Sequence, residues 1–136
     1  VIKHDGHEFE ADVPGTDSHR MKKAGAFGTV VYSGTRFALV KDQAGLEARD
    51  FFGYFPEADI LLLEGQKNSA YPKIEVLRQE ISCSPVCSPE TVLAYVADCQ
   101  VSQQGSREPR QVFAFDQLDE VAELAIHHMD AVFFKN

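Results

Sequence analysis

The chain has 136 residues, a formal net charge of −8 and a sequence pI of about 5.0. Its length suits one domain with one core, and its acidic balance argues against a general nucleic-acid binder, because neutralising phosphates requires a basic surface. No apolar run approaches the roughly 18 residues of a membrane helix, and no signal peptide is visible. We therefore expect a single domain over residues 1–136, located in the cytoplasm, with neither nucleic acid nor a membrane as partner.

The chain opens with Val1-Ile2, which is typical of the tail of a strand already under way. We accordingly expect a truncated domain with a segment missing upstream. Hydrophobic spacing and turn residues then predict the following elements: a helix over 17–24 that Asp17-Ser18 caps and Gly25 ends, a hairpin with strands 27–32 and 35–40, a helix over 46–55, strands over 59–63, 73–77, 91–97 and 112–115, and a helix over 118–132.

The run over 59–63 is informative about fold class because it is continuously apolar after its first residue. A run of this kind suits a strand that is buried on both faces of a parallel sheet. Together with the alternation of strands and helices, it predicts an α/β domain with a mostly parallel sheet and flanking helices.

Glu64 follows this run directly and precedes Gly65. In open parallel sheets, ligands bind beyond the carboxyl ends of the strands. A carboxylate at that place can hold Mg²⁺ directly or through water, and a glycine lets the backbone approach a ligand closely. Glu64 is therefore a candidate metal ligand; the alternative is a solvated turn residue.

Charged residues also gather in the opening segment. Lys3 and His4 follow the first predicted strand, at the same edge of the sheet, where a lysine can contact phosphate; an ordinary surface pair is the alternative. Asp12 and Asp17 flank a Pro-Gly turn. Asp17 is most simply a helix cap, whereas Asp12 has no equally simple structural role, and either carboxylate could orient a metal-bound water.

Asp98 ends another predicted strand. A carboxylate there can accept two hydrogen bonds from the N1 and N2 edge of guanine, a pair of groups that adenine does not present; a turn aspartate is the alternative. Cys83 and Cys87, with Cys99 or a histidine, could bind zinc, but zinc sites usually show a second clean pair and the chain has none, so we do not expect one. The odd count of three cysteines does not indicate a disulfide framework either.

Three motifs follow one another within residues 1–78: KHDGH at 3–7, DVPGTDS at 12–18 with AGA at 24–26, and LLEGQK at 62–67 with PKI at 72–74. Their order and spacing resemble the molybdopterin-guanine dinucleotide biosynthesis protein B family, MobB. Residues 92–98 and the terminal helix resemble the family more loosely.

That family consists of P-loop GTP-binding proteins related in fold to dethiobiotin synthetase. The resemblance therefore implies a P-loop NTPase-like fold, binding of GTP with Mg²⁺, weak GTP hydrolysis at most, and assistance to a MobA-type guanylyltransferase, which attaches GMP to molybdopterin. It further implies these roles: Glu64 and Asp12 on the metal side, Lys3, His4, His7, Asp12 and Lys67 towards the phosphates, and Asp98 on guanine. Ala97 departs from the family, which often has a small hydroxyl residue before the aspartate.

One family motif is absent from the sequence. The family begins with a strand, a Gly-rich loop ending in Gly-Lys-[Ser/Thr] and a helix, and no such loop occurs here. Because that loop supplies most phosphate contacts, we expect these residues alone to bind GTP weakly or not at all. The apolar surface left by a missing strand would favour self-association as a homodimer.

The sequence also allows two other hypotheses about function. An ATP-dependent ligase of the dethiobiotin synthetase kind would share the fold and use Lys3 and Glu64 in phosphoryl transfer. A non-catalytic binding or scaffold domain would explain the absent loop, although it would leave the dense polar opening segment unexplained.

Overall fold

The computed structural model describes residues 1–103 and 108–129. Within it the chain divides into two compact units, Val1–Gly65 and Gln66–Asn136. The single domain over 1–136 stays a prediction. No helix among the described residues is long and apolar enough to cross a membrane.

The first unit contains a short parallel ladder between β1 (Ile2–Lys3) and β4 (Leu63–Glu64). The predicted strand over 59–63 is therefore shorter than expected and shifted by one residue. Ile60 and Leu62 are 41% and 54% exposed, so the run is not buried on both faces. The reason is that, in the described part of the chain, β1 pairs with only Leu63 and Glu64. The rest of the run contacts β1 through one hydrogen bond, from the Ile2 N–H to the Leu62 carbonyl at 2.8 Å.

Helix α1 (Asp17–Lys23) lies where the sequence predicts it. Its N-cap is Thr16 rather than Asp17, because the Thr16 hydroxyl accepts the hydrogen bond from the His19 backbone N–H. At the other end, Gly25 takes a φ of 101° and donates its N–H to Lys22. The N–H of Ala26 donates to Met21, which completes a Schellman motif.

The predicted hairpin is confirmed: β2 (Gly28–Tyr32) pairs antiparallel with β3 (Phe37–Lys41). Directly opposed residues of an antiparallel pair lie on the same face. One face of the hairpin therefore carries two exposed apolar pairs, formed by Val30 with Leu39 and by Tyr32 with Phe37.

The helix predicted over 46–55 is a 3₁₀ helix over Ala48–Tyr54. Glu47 and Asp50 cap its start reciprocally through side chain and backbone. The segment carries Gly53 near its end and is followed by Pro56, so few residues are available for α-helical hydrogen bonds.

The second unit is built on three parallel strands in the order β5 (Lys73–Leu77), β6 (Val92–Ala97) and β7 (Gln111–Phe113). Helix α2 (Leu118–Met129) covers one face through Val121 and Leu124. The described end of this helix is Met129, and the predicted continuation to residue 132 lies outside the described residues. The three strands pair in parallel and α2 follows them in the chain, an arrangement consistent with an α/β fold.

A second buried cluster of this sheet, Leu77, Val92, Tyr95 and Ala97, packs against Cys87 of the loop over 82–89. Cys83 forms a disulfide with Cys99 across 16 residues, a single pairing that the odd count of cysteines did not indicate. The loop folds back onto the end of β6, a long-range approach that a cysteine count does not reveal. The buried Glu75 also holds the loop, because its Oε1 accepts hydrogen bonds from the N–H groups of Val86 and Cys87 at 2.7 and 3.3 Å.

Candidate functional site

The carboxyl ends of β1 and β4 bring Lys3 and Glu64 together. The two residues are partners in the parallel register, and the His4 N–H donates to the Glu64 carbonyl at 2.9 Å. The Lys3 ammonium lies 3.4 Å from Glu64 Oε2, and the two side chains are 66% and 58% exposed. An ion pair this exposed stabilises a fold little. Its consequence is local: a cation and a carboxylate stand side by side at a sheet edge of the kind where α/β proteins bind ligands.

Gly65 fixes how closely the two strand ends approach each other. Its φ is 93°, and a Cβ built on it would lie 2.6 Å from the His4 carbonyl oxygen. That separation is shorter than any real Cβ contact. The close approach expected at Gly65 is therefore made to the backbone of His4, and any other residue would push the edge apart.

The loop after β1 leaves its histidines in solvent. His4 and His7 are exposed, and the His7 backbone N–H donates to Asp5 Oδ1 at 3.3 Å. Within residues 1–103 and 108–129, neither imidazole ring forms a hydrogen bond or an ion pair. Both side chains are therefore accessible to solvent, and their role towards a phosphate stays a prediction.

Asp12 has a structural role that its sequence position did not reveal. Its Oδ1 accepts hydrogen bonds from the Val13 N–H at 2.8 Å and from the Thr16 hydroxyl at 3.3 Å. A hydrogen bond from the Ser18 hydroxyl, with smaller contributions from Val13 and Thr16, holds the pKa of this carboxyl below its ordinary value. Asp12 therefore organises the turn that leads into α1, and its role as a metal ligand remains a prediction.

His19 is a residue that sequence reasoning missed. Its side chain is only 12% exposed, its Nδ1 accepts the Gly15 N–H at 3.3 Å, and its Nε2 lies 4.0 Å from Glu10 Oε1. Because Nδ1 accepts, the proton of the neutral ring is on Nε2, which faces Glu10. The sequence did contain a signal for the placement of His19 in the first turn of α1, because residue 19 is the third helical residue after the Thr16 cap.

In the second unit, Asp98 follows β6 and is exposed. Its Oδ1 accepts the Gln79 N–H at 2.7 Å, while its Oδ2 has no hydrogen-bond partner among the described residues. The neighbouring Cys99 is tied to Cys83. The carboxylate thus stands on a fixed strand end with one oxygen free to accept.

Lys67 lies in the turn that follows Gly65 in sequence. Its carbonyl accepts a hydrogen bond from the Lys73 ammonium at 3.3 Å. Among the described residues, its own ammonium is not paired with a carboxylate.

No group of three or more histidine, cysteine, aspartate or glutamate side chains is gathered as for a metal ion in the described part of the chain. Mg²⁺, however, is usually held by one or two carboxylates together with water and substrate phosphates. Glu64, with its exposed carboxylate, fits that chemistry.

Comparison with known proteins shows which family the chain resembles. The family model for molybdopterin guanine dinucleotide synthesis protein B, MobB, matches residues 1–98. The chain is 36% identical over 83 residues to the molybdopterin-guanine dinucleotide biosynthesis adapter protein of Escherichia coli, covering 57% of this chain and 47% of that protein. It is 33% identical over 85 residues to the protein of the same name from Haemophilus influenzae, covering 60% and 48%. The chain thus spans about half the length of these curated relatives.

A solved structure gives the same result for the fold. The crystal structure of Bacillus subtilis MobB superposes with a TM-score of 0.63 at 27% identity, covering 91% of this chain and 76% of that one. This match confirms the predicted α/β, P-loop NTPase-like fold class, to which the parallel ladders of both units already pointed.

Proposed function

We propose that this chain, which belongs to the MobB family of molybdopterin guanine dinucleotide synthesis proteins, binds a guanine nucleotide with Mg²⁺ and acts as an adapter in the attachment of GMP to molybdopterin. The observation that carries the proposal is the edge formed by β1 and β4. There Lys3 and Glu64 lie 3.4 Å apart, and Gly65 closes onto the backbone of His4. Both strand ends fall inside the region that the family model matches.

In this proposal the opening segment faces the phosphates. Lys3 is a point charge that can contact a phosphate oxygen, and Glu64 holds Mg²⁺ or one of its waters. His4 and His7 add hydrogen-bond donors, and Asp12 orients a metal-bound water. Hydrolysis by this set is weak at most, because the sequence carries no Gly-Lys-[Ser/Thr] loop to stabilise the developing charge.

Asp98 is proposed to recognise the base. Its two oxygens can accept from the N1 and N2 groups of guanine, and the bond to Gln79 uses only one lone pair of Oδ1. The Cys83–Cys99 disulfide next to it restrains the strand end. A base-reading carboxylate gains from such restraint, since less ordering is required when the ligand binds.

The proposed partners are a MobA-type guanylyltransferase, molybdopterin and a second copy of the chain. Support for the second copy comes from the hairpin, whose two apolar pairs, Val30 with Leu39 and Tyr32 with Phe37, are exposed on one face. Contiguous apolar surface of this kind typically marks an interaction site. A cytoplasmic location belongs to the same proposal, because a nucleoside triphosphate ligand is available there.

Isothermal calorimetry with Mg-GTP and Mg-ATP tests this function. The titrations use the 136-residue chain and a chimera in which the N-terminal residues of the Escherichia coli relative precede Val1. We expect the chimera to bind GTP better than ATP, and the chain alone to bind it weakly. Glu64→Gln should reduce hydrolysis more than binding, because the amide keeps the shape but loses the charge that holds the metal. Glu57→Gln, an exposed carboxylate of the same unit, is the matched control.

Base recognition is tested in the same chimera with Asp98→Asn. This variant should lose GTP affinity by roughly 1.5–3 kcal/mol, the value of a hydrogen bond to a charged group, and should gain affinity for xanthosine triphosphate. Xanthine has a carbonyl where guanine has an amino group, so an amide can donate to it. A variant that keeps its GTP preference would remove Asp98 from the site, and an undiminished turnover in Glu64→Gln at saturating magnesium would remove Glu64.

A further inference from the structure

The side chain of Lys73 gathers the loop over 66–69 around its ammonium group. Its Nζ lies 2.6 Å from the Ser69 carbonyl and 3.3 Å from each of three other oxygens, the carbonyls of Gln66 and Lys67 and the hydroxyl of Ser69. An ammonium has three N–H donors. All of its donors can therefore be used by one four-residue turn.

The lysine itself is anchored. Lys73 begins β5, its N–H donates to the Thr91 carbonyl at 2.9 Å, and it is in register with Val92 of the central strand β6. The ammonium thus reaches from a buried sheet to a surface turn. The turn has support of its own, because the Ser69 N–H and hydroxyl both donate to the Gln66 carbonyl.

Among the described residues, no acidic side chain neutralises the charge of this lysine. The ion pairs among residues 1–103 and 108–129 involve other cations, and neither Lys73 nor Lys67 is within ion-pair distance of a carboxylate. Both lysines act on the Cys87 thiol, where they partly offset the burial and the nearby Glu75 charge that together raise its pKa. Among the described residues, two cations without a carboxylate partner therefore act on the same thiol in a protein of net charge −8.

We propose that Lys73 is a positioning residue for Lys67: its ammonium gathers the turn's carbonyl groups and so fixes the backbone from which Lys67 extends towards an anionic ligand. The anion is the phosphate group of the nucleotide, so this inference rests on the proposed function. A carbonyl drawn towards Lys73 directs the following N–H away from it, because the two groups of a peptide unit point in opposite directions. The turn therefore presents donors on the side away from Lys73.

The first test needs no ligand and uses trypsin cleavage at the Lys67–Asn68 bond under native conditions. Cleavage of a folded loop follows the population of its open form. We expect Lys73→Ala to raise the cleavage rate about tenfold or more, as for loss of a charge-assisted hydrogen bond. Lys23→Met, which removes an exposed charge from α1, should leave the rate unchanged. An unchanged rate in Lys73→Ala would overturn the proposal.

Chemical rescue distinguishes the loss of the Lys73 N–H donors from a general loss of stability as the cause of faster cleavage. Ethylammonium ions should restore protection of Lys67–Asn68 in Lys73→Ala, whereas tetramethylammonium ions at equal ionic strength should not, because they have no N–H to donate. Lys73→Arg keeps the charge, but its planar fork cannot direct three donors at one point, so this variant should remain sensitive. Equal effects of the two ions would overturn the proposal.

The ligand test is a double-mutant cycle in the chimera, with Mg-GTP affinity as the readout. Lys67→Ala and Lys73→Ala should each weaken binding about tenfold, and the double variant should be no weaker than either, because Lys73 acts through Lys67. Additive losses would overturn the positioning role. Should the unmodified chimera fail to bind Mg-GTP, the proposed function is wrong, while the cleavage and rescue results still decide whether Lys73 holds the turn.

Discussion

Parallel strand pairing forms a buried sheet in the second unit and a short ladder with an exposed end in the first unit. In the second unit, β6 is flanked on both sides, and its residues 94–97 are all buried. In the first unit, β1 and β4 share two residue pairs, and the charged pair at their end is more than half exposed. Buried apolar surface contributes most of a fold's stability, so stability should depend on the second ladder. The first ladder instead ends in an exposed ion pair, which contributes little to stability.

The largest expected effect on stability comes from removing a buried aromatic side chain from the sheet of the second unit. Phe113 is 2% exposed and packs with Ala94 and Val96. Phe113→Ala should lower the free energy of unfolding by roughly 3–5 kcal/mol, because it loses apolar burial and leaves a cavity. Phe9→Ala, at a position that is 74% exposed, should change it by less than about 0.5 kcal/mol. Urea denaturation of both variants measures the contrast, and equal losses would contradict it.

Loss of the disulfide should have the second-largest effect on stability. Cys83–Cys99 closes a segment of 16 residues, for which loop closure in the unfolded chain is worth roughly 2–4 kcal/mol. Cys83→Ser should lower stability by that amount under oxidising conditions and by nothing in dithiothreitol. Alkylation of the unfolded chain should label one thiol before reduction and three after it, since Cys87 is free. Three labelled thiols before reduction would show that the bridge does not form.

A smaller effect is expected at the charged edge. Gly65→Ala places a Cβ at 2.6 Å from the His4 carbonyl and forces a side chain into a positive φ. We expect a loss of roughly 1–3 kcal/mol, with weaker nucleotide binding in the chimera. Gly6→Ala is the matched control, because a Cβ there meets nothing within 4 Å. If both variants behave alike in thermal unfolding, the close approach has no energetic consequence.

The smallest effect concerns acid sensitivity. Hydrogen bonds from Ser18, Val13 and Thr16 lower the pKa of Asp12 in the folded chain. A carboxyl with a lowered folded pKa stabilises the fold above its unfolded pKa, and this contribution disappears as the pH falls through the folded pKa. Asp12→Asn should therefore flatten the decline of stability on the acid side of the ordinary aspartate pKa. Asp59→Asn is the comparison, and an equal acid decline in Asp12→Asn and the parent chain would contradict the assignment.

Much of the fold was predictable because its signals are local. Gly25 indicates where α1 ends in a Schellman motif, and two β-rich runs on either side of Ser33-Gly34 indicate the hairpin. The placement of Lys3 and Glu64 at one edge of a sheet also followed from the rule that parallel strands end at the same edge, whereas their direct pairing did not. The family motifs depend on the same short-range order, which is why they identify the family that the comparisons then confirmed.

Tertiary structure decided the remainder, because those features join residues that are distant in sequence or depend on a choice between near-equivalent neighbours. Cys83 meets Cys99 only once the loop has folded over the sheet, and Gly65 closes on His4 only once β1 and β4 have paired. Thr16 rather than Asp17 caps α1 because its hydroxyl faces the free N–H of His19. The exposure of Leu62 shows the same limit: an apolar run indicates a capacity for burial, and whether burial occurs depends on which strand lies beside it.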